Sequence, residues 1–479
     1  MRFFLFTLVV LFELATAIAQ PTKITGTAAD YAKRKITFYS ISDPILNQKQ
    51  ILGTTTIGND GKFTLEIPLK HAIEIRCDLE KYCATMVLEP GENYAIQLPP
   101  YSPKSNEEAK SIYFKPALFW FGILNKDKKD LNFAVRAFLT DYNTEFSKNS
   151  AQIYQQKSKA TVEQIISRLE KKYDTPSTSY FNNLKRYSYL DLEYSINQGN
   201  TDQIIQKYFY IKDLNLEHPT LQRAFQTIFT DFLRMQAQNQ KNSSLIGMVN
   251  RGDFDQLITF FKAKGYPQEI SELAILKGLY DGYYSGSFYK AGLIKAINEA
   301  RHGTIGTSSK ALAEQIYTKL TKLAVGAKAP TFRLPNIQNK PTSLEQFKGK
   351  FIYLAFFNSK SHDCQMELDS IVSIHRKLNK ILTVLAISLD DNFESSINLW
   401  KNKGYKWELL NGANPDPVRL DYNATLTPAF FLISPEQKLL LSQAPSPSHE
   451  FEPVFLKILR DTHFNFKQLP AEKTKPLPN

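Results

Sequence analysis

The spacing of hydrophobic positions changes twice along the chain. Between residues 22 and 101, apolar and polar side chains alternate in short runs such as KFTLEIPL and AIEIRC, with the turn sequences NDG and PGEN between runs. From about 106 to 323, apolar side chains instead recur every three to four residues, and from 324 to 463 short apolar runs alternate with helical patterns. These periods predict a β-sandwich, an all-α region and an α/β domain, in that order.

The same patterns predict the domain boundaries. We expect a signal peptide at 1–19, a β-sandwich at 20–103, a helical domain at 104–323, an α/β domain at 324–463 and a flexible tail at 464–479. The breaks between helical segments are short, as in helical hairpins, and no fixed repeat is present. Helices of the middle region are predicted near 131–147, 178–197, 201–211, 253–264, 268–283, 287–300 and 309–323.

The first residues have the pattern of a secretory signal. Arg2 supplies the positive start, FFLFTLVVLF the apolar stretch, and Ala17-Ile18-Ala19 a small-residue cleavage site. The apolar stretch is too short to span a bilayer, and no later segment reaches 18 apolar residues. We therefore expect an exported protein of the periplasm or cell envelope that does not span the membrane.

The charge distribution argues against nucleic-acid binding, and the composition argues against a disordered chain. The chain carries a net charge of +12, but the lysines and arginines of the helical region alternate with acidic residues and form no clustered basic footprint. Nucleic acid is therefore not an expected partner. Because 43% of the residues are hydrophobic, the chain can bury real cores, and low-complexity disorder is excluded as well.

Three cysteines are present. Cys77 and Cys83 flank the segment DLEKY, and a hairpin that turns in this segment would set them opposite each other, within disulfide reach. For an exported protein a disulfide is favoured over two free thiols, and closing so short a loop would contribute about 2 kcal/mol. No histidine pair accompanies these cysteines, which disfavours a metal site. Cys364 would remain unpaired.

Two segments of the α/β domain are similar to a known family. VGAKAPTFRLPNIQNKPTSLEQFKGKFIYLAFF and LDYNATLTPAFFLISPEQKLLL resemble the opening and the closing hairpin of TlpA-type thiol-disulfide oxidoreductases and their AhpC/TSA (redoxin) relatives. The resemblance covers essentially all of 325–462 and implies a thioredoxin-like fold, with no cofactor. The N-terminal strands resemble the DUF4369-type β-domain of exported thioredoxin-like proteins, for which no catalytic residues are implied.

The family carries a W-C-x-x-C motif after its central strand. Its first cysteine lies at a helix N-terminus, where free N–H groups and the helix dipole stabilise the thiolate, and the second resolves the mixed disulfide. Here the motif aligns with Ser361-His362-Asp363-Cys364, so a serine replaces the nucleophile and the dithiol cycle is predicted to be lost. Ser361 is the expected helix N-cap. The first three residues cannot form a hydrolase relay, because neighbours on a helix point in different directions.

Thr427-Pro428 aligns with the cis-proline of the family. In the family this proline presents the preceding backbone as an edge to an extended client peptide. A protein that keeps this proline but lacks the attacking sulfur could bind clients without reacting with them. The expected partners are envelope proteins or peptides. The proline can equally persist as a requirement of the fold.

Three hypotheses for the function stay open. In the first, the thioredoxin-like domain is a redox-inactive binding or structural module. In the second, Cys364 acts alone as a thiol-disulfide oxidoreductase or peroxidase, since Ser361 and Cys364 fit the S/T-x-x-C half of the peroxiredoxin motif, with Arg376 or Arg419 as the activating arginine. Phe357 stands where that motif requires proline. In the third, the helical domain binds a ligand.

Overall fold

The structure is a computed structural model that describes residues 19–105, 108, 111, 114–197, 200–210, 214–239, 244–412 and 418–461. The chain divides into two compact units, Met1–Ile316 and Tyr317–Asn479. Apart from Ala19, the predicted signal peptide lies outside the described residues, as does the predicted tail at 464–479. No helix in the described ranges is long and apolar enough to cross a bilayer. The predicted domain boundaries stay predictions.

Two β-sheets form the first part of the N-terminal unit. Their strands are β1 Gln20–Thr27, β2 Lys35–Ile41, β3 Lys49–Thr56, β4 Lys62–Leu69, β5 Ile73–Leu79, β6 Tyr82–Leu88, β7 Asn93–Gln97, β8 Ala117–Trp120 and β9 Gly122–Ile123. The sheet orders are β4-β1-β7-β9 and β3-β2-β5-β6-β8. Alternate side chains of both sheets, such as Ile24 and Tyr94 from the first and Phe38 and Ile75 from the second, share one buried core. The predicted strands KFTLEIPL and AIEIRC are present as β4 and β5.

Strands β8 and β9 were not predicted from the sequence. β8 pairs in parallel with β6, and β9 pairs antiparallel with β7, so one short segment extends both sheets. The residues of β8 are exposed or half-buried, because the strand lies at a sheet edge. A short edge strand of this kind lacks the clean alternation by which longer strands are recognised.

The predicted Cys77–Cys83 disulfide is wrong. The predicted hairpin is present, but its loop is the two-residue turn Glu80-Lys81, so Cys77 pairs with Ala84 and Cys83 pairs with Asp78. A shift of one residue sends the side chains to opposite faces of the sheet. All three cysteines of the chain are free and buried. Burial raises the pKa of the Cys77 thiol to about 12 and raises that of Cys83 as well, so both stay protonated at neutral pH.

Short loops connect a series of helices between residues 131 and 321. Where the chain is described, they are α1 Leu131–Lys148, α2 Ser150–Tyr154, α3 Lys159–Lys172, α4 Ser179–Ile196, α5 Thr201–Phe209, α6 Pro219–Phe229, α7 Phe232–Gln238, α8 Ser244–Arg251, α9 Phe254–Ala263, α10 Gln268–Ser285, α11 Lys290–His302 and α12 Thr307–Thr321. The 3.6-residue pattern places the buried residues of α3, Val162, Ile165 and Leu169, on one face. The predicted helical region is therefore present.

One buried histidine joins the starts of α4 and α6. His218 is the N-cap of α6: its Nδ1 accepts a hydrogen bond from the Thr220 N–H at 3.3 Å, and its Nε2 lies 3.1 Å from the Tyr180 carbonyl oxygen. The neutral imidazole satisfies both contacts, with Nε2 as donor. Burial lowers the pKa of His218 to about 4, mainly because the charged ring would lose its hydration.

This histidine predicts acid sensitivity of the N-terminal unit. Between pH 6.5 and about 4 the unfolded chain binds a proton that the folded state excludes, so stability falls as the pH falls. From pH 7 to pH 5 the expected loss is about 2 kcal/mol. Urea unfolding followed by far-ultraviolet circular dichroism measures it. His218→Asn, which keeps a capping oxygen and an amide donor but does not titrate, should lose about 2 kcal/mol less; an equal loss would contradict the assignment.

The C-terminal unit contains a mixed five-stranded sheet and a separate two-stranded sheet. Its strands are β10 Arg333–Pro335, β11 Pro341–Ser343, β12 Phe351–Phe357, β13 Leu382–Ser388, β14 Glu408–Asn411, β15 Ala429–Ile433 and β16 Leu439–Ser442, and its helices are α13 His362–Leu378, α14 Phe393–Lys403, α15 Val418–Asp421 and α16 Phe451–Asp461. The five-stranded sheet has the order β14-β13-β12-β15-β16, with β12, β13 and β14 parallel and β15 and β16 antiparallel to their neighbours. The two-stranded sheet is β10-β11. This is the arrangement of a thioredoxin-like fold.

Strand β12 is the centre of this domain. All seven of its residues are buried, as the unbroken apolar run predicts for a strand covered on both faces. Tyr353, Ala355 and Phe357 contribute to one core cluster, whereas Leu354 and Phe356 contribute to the other. The strand therefore fixes the loop and helix that follow it.

Candidate functional site

The candidate site lies where β12 ends and α13 begins. After Phe357 the chain turns, and Ser361 adopts an extended backbone conformation as the N-cap of α13. Its Oγ accepts a hydrogen bond from the Cys364 N–H at 3.3 Å. The side chain that aligns with the nucleophile of the family thus satisfies a backbone donor at the helix N-terminus, which is the ordinary role of an N-cap serine.

Cys364 lies on the inner face of α13. Residues 364, 368 and 371 recur at helical spacing, and all three are buried against the sheet. The side chain of Cys364 has no solvent exposure and belongs to the same core cluster as Phe357 and Trp400. Its Sγ lies 3.5 Å from the Asn358 nitrogen, whose N–H points to it. The thiol therefore packs as a small core side chain.

A buried carboxylate holds the loop before the helix. Asp390, which follows β13, is almost fully buried and accepts hydrogen bonds from the Ser359 N–H at 3.0 and 3.3 Å. The hydroxyls of Ser388 and Ser396 also donate to Asp390. Sequence analysis missed this cluster. Its only signal is Ser388 at the end of an apolar strand with Asp390 two residues later, which also fits an ordinary turn.

In the described part of the chain, none of the other residues that the sequence singled out makes a hydrogen bond or an ion pair with the Cys364 thiol. His362 and Asp363 are exposed in the first turn of α13. Arg376 lies twelve residues after Cys364 on the same helix, roughly 18 Å along its axis. Arg419 donates instead to the Thr425 carbonyl oxygen at 3.3 Å. The described contacts of both arginines therefore give no support to a peroxidase-type activation of Cys364.

The Thr427–Pro428 peptide bond is cis, in agreement with the alignment. Ala429 pairs with Phe356, so Pro428 lies at the carboxyl end of β12, on the same edge of the sheet as the start of α13. The neighbouring Leu426 is 70% exposed. The structure thus places the predicted client-binding segment at the edge that carries Ser361. Its role as a clamp stays a prediction.

Within the described ranges, no group of three or more His, Cys, Asp and Glu side chains is arranged to hold a metal ion.

Comparison with known proteins supports the fold of this part of the chain. Residues 325–441 match the AhpC/TSA family. The chain is similar to the thiol-disulfide oxidoreductase ResA of Bacillus thuringiensis, with 24% identity over 130 residues, which cover 27% of this chain and 75% of the relative. The ResA protein of Bacillus cereus is 23% identical over the same length and with the same coverage.

Solved structures of similar proteins cover the same portion. The thioredoxin domain of a thiol-disulfide oxidoreductase from Bacteroides vulgatus is 21% identical, with 28% of this chain and 99% of that chain covered and a TM-score of 0.26. A thiol-disulfide oxidoreductase from Bacteroides fragilis is 23% identical, with coverages of 28% and 98% and a TM-score of 0.25. The fold assignment rests on the strand order and the family match. Residues 325–441 therefore belong to a thioredoxin-like domain that is similar to the AhpC/TSA family.

Proposed function

We propose that this is an exported protein whose thioredoxin-like domain has lost dithiol chemistry and serves as a binding or structural module in the cell envelope. The proposal rests on the conformation and burial of the residues that align with the C-x-x-C motif. Ser361 occupies the nucleophile position as an N-cap, and the remaining thiol, Cys364, is fully buried.

Disulfide exchange requires an accessible thiolate and a second thiol, and the aligned motif provides only the buried Cys364. Exchange begins with an exposed thiolate, which attacks a disulfide sulfur and is later released by a second thiol. A serine hydroxyl stays protonated at neutral pH and forms no disulfide. Cys364 retains the resolving position, but it has no partner sulfur to resolve. The cis-proline segment, with Leu426 exposed beside it, remains available for an extended polypeptide, and envelope proteins or peptides are the proposed partners.

The second candidate is a thiol-dependent oxidoreductase or peroxidase that acts through Cys364 alone. It is favoured by the names of the ResA relatives, which are thiol-disulfide oxidoreductases. Against it stands the burial of the Cys364 side chain, because a peroxidatic or attacking sulfur must meet its substrate.

Activity assays separate the two candidates. We expect purified protein to accelerate neither the reduction of insulin by dithiothreitol nor the consumption of hydrogen peroxide above the uncatalysed rate, and Cys364→Ser to behave as the wild type does. A C-x-x-C thioredoxin serves as positive control. A rate at least about tenfold above background that disappears in Cys364→Ser would establish the second candidate and reject the proposal.

A further inference from the structure

A cleft opens in the N-terminal unit where the sandwich meets the helices. Its volume is about 510 Å³, within the range of about 300–1,000 Å³ that is usual for ligand sites. The loop after β2, the start of α4, the segment before α6 and one side of α12 form its walls. The cleft lies far along the chain from Cys364 and is independent of its redox chemistry.

Hydrogen bonds between the elements that form the walls hold the cleft in place. Gln222 Nε2 donates to the Leu216 carbonyl oxygen and to the Ile41 carbonyl oxygen, both at 2.8 Å, and so ties α6 to the sandwich. His218 Nε2 lies 3.1 Å from the Tyr180 carbonyl oxygen, and this contact joins the segment before α6 to the start of α4. Because these bonds form within the protein, the cleft is preformed.

The charged groups of the cleft are already engaged. Asp43 is buried and accepts hydrogen bonds from the N–H groups of Ile45 and Leu46, at 2.9 and 2.5 Å. The Glu217 carboxylate pairs with His71 at 3.3 Å, and this contact raises the pKa of His71. The described lining contains no lysine or arginine. An anionic ligand such as a phosphate would therefore find no dedicated counter-charge.

The uncharged groups of the cleft remain available. Ser179 and Asn183 from α4 and Ser308 and Gln315 from α12 line it, and in the described part of the chain their side chains make no hydrogen bond. Apolar surface between them comes from three leucines: Leu214, Leu216 and Leu312. No Phe, Tyr or Trp is present in the described lining, so the flat ring surface that commonly packs against a sugar is absent.

We propose that this cleft binds a short, uncharged stretch of extended polypeptide. Side-chain amides such as those of Asn183 and Gln315 offer a donor and an acceptor together, which match the N–H and C=O of a peptide backbone. The leucines would contact apolar side chains of the bound segment, and the absence of free charge in the lining selects against strongly charged sequences.

Methyl NMR on the full-length protein tests the proposal. The probe is the blocked peptide Ac-Ser-Leu-Ser-Leu-NH2, titrated into protein labelled at its leucine methyl groups. We expect shifts at Leu214, Leu216 and Leu312. Ac-Asp-Leu-Asp-Leu-NH2 and maltose should produce shifts at least tenfold smaller at equal concentration. An absence of shifts at these methyl groups up to millimolar peptide, or equal shifts with maltose, would overturn the proposal.

Two matched variants locate the binding. Ala311 lines the cleft on the exposed side of α12, so Ala311→Arg fills the cleft with a long side chain while keeping a good helix former, and the apparent affinity should fall at least tenfold. Ala160→Arg makes the same change at an exposed position of α3 outside the cleft and should bind as the wild type does. Unchanged affinity in folded Ala311→Arg protein would place the peptide elsewhere and reject the site.

Discussion

Replacing Ser361 with cysteine is expected to produce a reactive pair that forms a reducible 361–364 disulfide. The new thiol would stand at the N-terminus of α13, where free N–H groups and the helix dipole favour the thiolate, and Cys364 already lies in the next turn. A thiol pKa lowered from about 8.5 toward 7 or below raises the thiolate fraction at neutral pH at least about tenfold over an ordinary cysteine. Native thiol titration and insulin reduction measure the gain.

A matched variant and a double variant isolate the effect of position. Ser373→Cys places an exposed thiol on the same helix but away from its N-terminus, so it should react at the ordinary rate and form no disulfide with Cys364. Ser361→Cys with Cys364→Ser should keep the fast thiol but lose the disulfide. A folded Ser361→Cys protein that forms no disulfide under oxidising conditions would show that Ser361 does not hold the nucleophile position.

The thioredoxin-like domain was predictable because its sequence signals are local and strong. The run from Phe351 to Phe357 indicates a strand covered on both faces, and the structure buries every residue of it. The alignment predicted a cis bond before Pro428 and an N-cap at Ser361, and both are present. At these positions the residues of one short segment determine its conformation.

Other features depend on pairings that one segment does not determine. Whether Cys77 faces Cys83 depends on whether the loop between the strands has an even or an odd number of residues, and either loop suits DLEKY. In the structure Glu80 takes a left-handed conformation, with φ of 56°, which permits the two-residue turn. The cleft is likewise built by segments more than a hundred residues apart, such as Asp43 and Gln315, so no local pattern predicts it.

No sequence pattern predicted the buried Asp390 cluster. Removing the Asp390 carboxylate should lower the stability of the domain considerably. Asp390→Ala would leave the Ser359 N–H and the Ser388 hydroxyl without this acceptor. The Ser396 hydroxyl keeps Ser388 Oγ, 2.8 Å away, as an alternative acceptor. Each unsatisfied buried donor costs about 1–3 kcal/mol, so we expect the free energy of unfolding of this domain to fall by about 3 kcal/mol. Asp390→Asn keeps one acceptor oxygen, and its loss should be smaller.

Urea unfolding in a Trp120→Phe background measures this loss. Two of the three tryptophans of the chain, Trp400 and Trp407, lie in the core of the thioredoxin-like domain, so their fluorescence then reports on this domain alone. Glu436→Ala removes an exposed carboxylate of the same domain and should change stability by no more than about 0.5 kcal/mol. If Asp390→Ala unfolds at the same urea concentration as Glu436→Ala, the carboxylate does not hold the loop.

The same variant tests why Cys364 is unreactive. The loop that Asp390 holds through Ser359 leads directly to Ser361 and to the turn of α13 that covers the thiol. If burial alone protects Cys364, then loosening this loop should raise its rate of modification in the folded protein, while the thiols of Cys77 and Cys83 stay protected in the sandwich. Mass spectrometry after brief alkylation distinguishes the three sites. Equal protection of Cys364 in wild type and Asp390→Ala would mean that the packing of α13 on the sheet, and not the loop, closes the site.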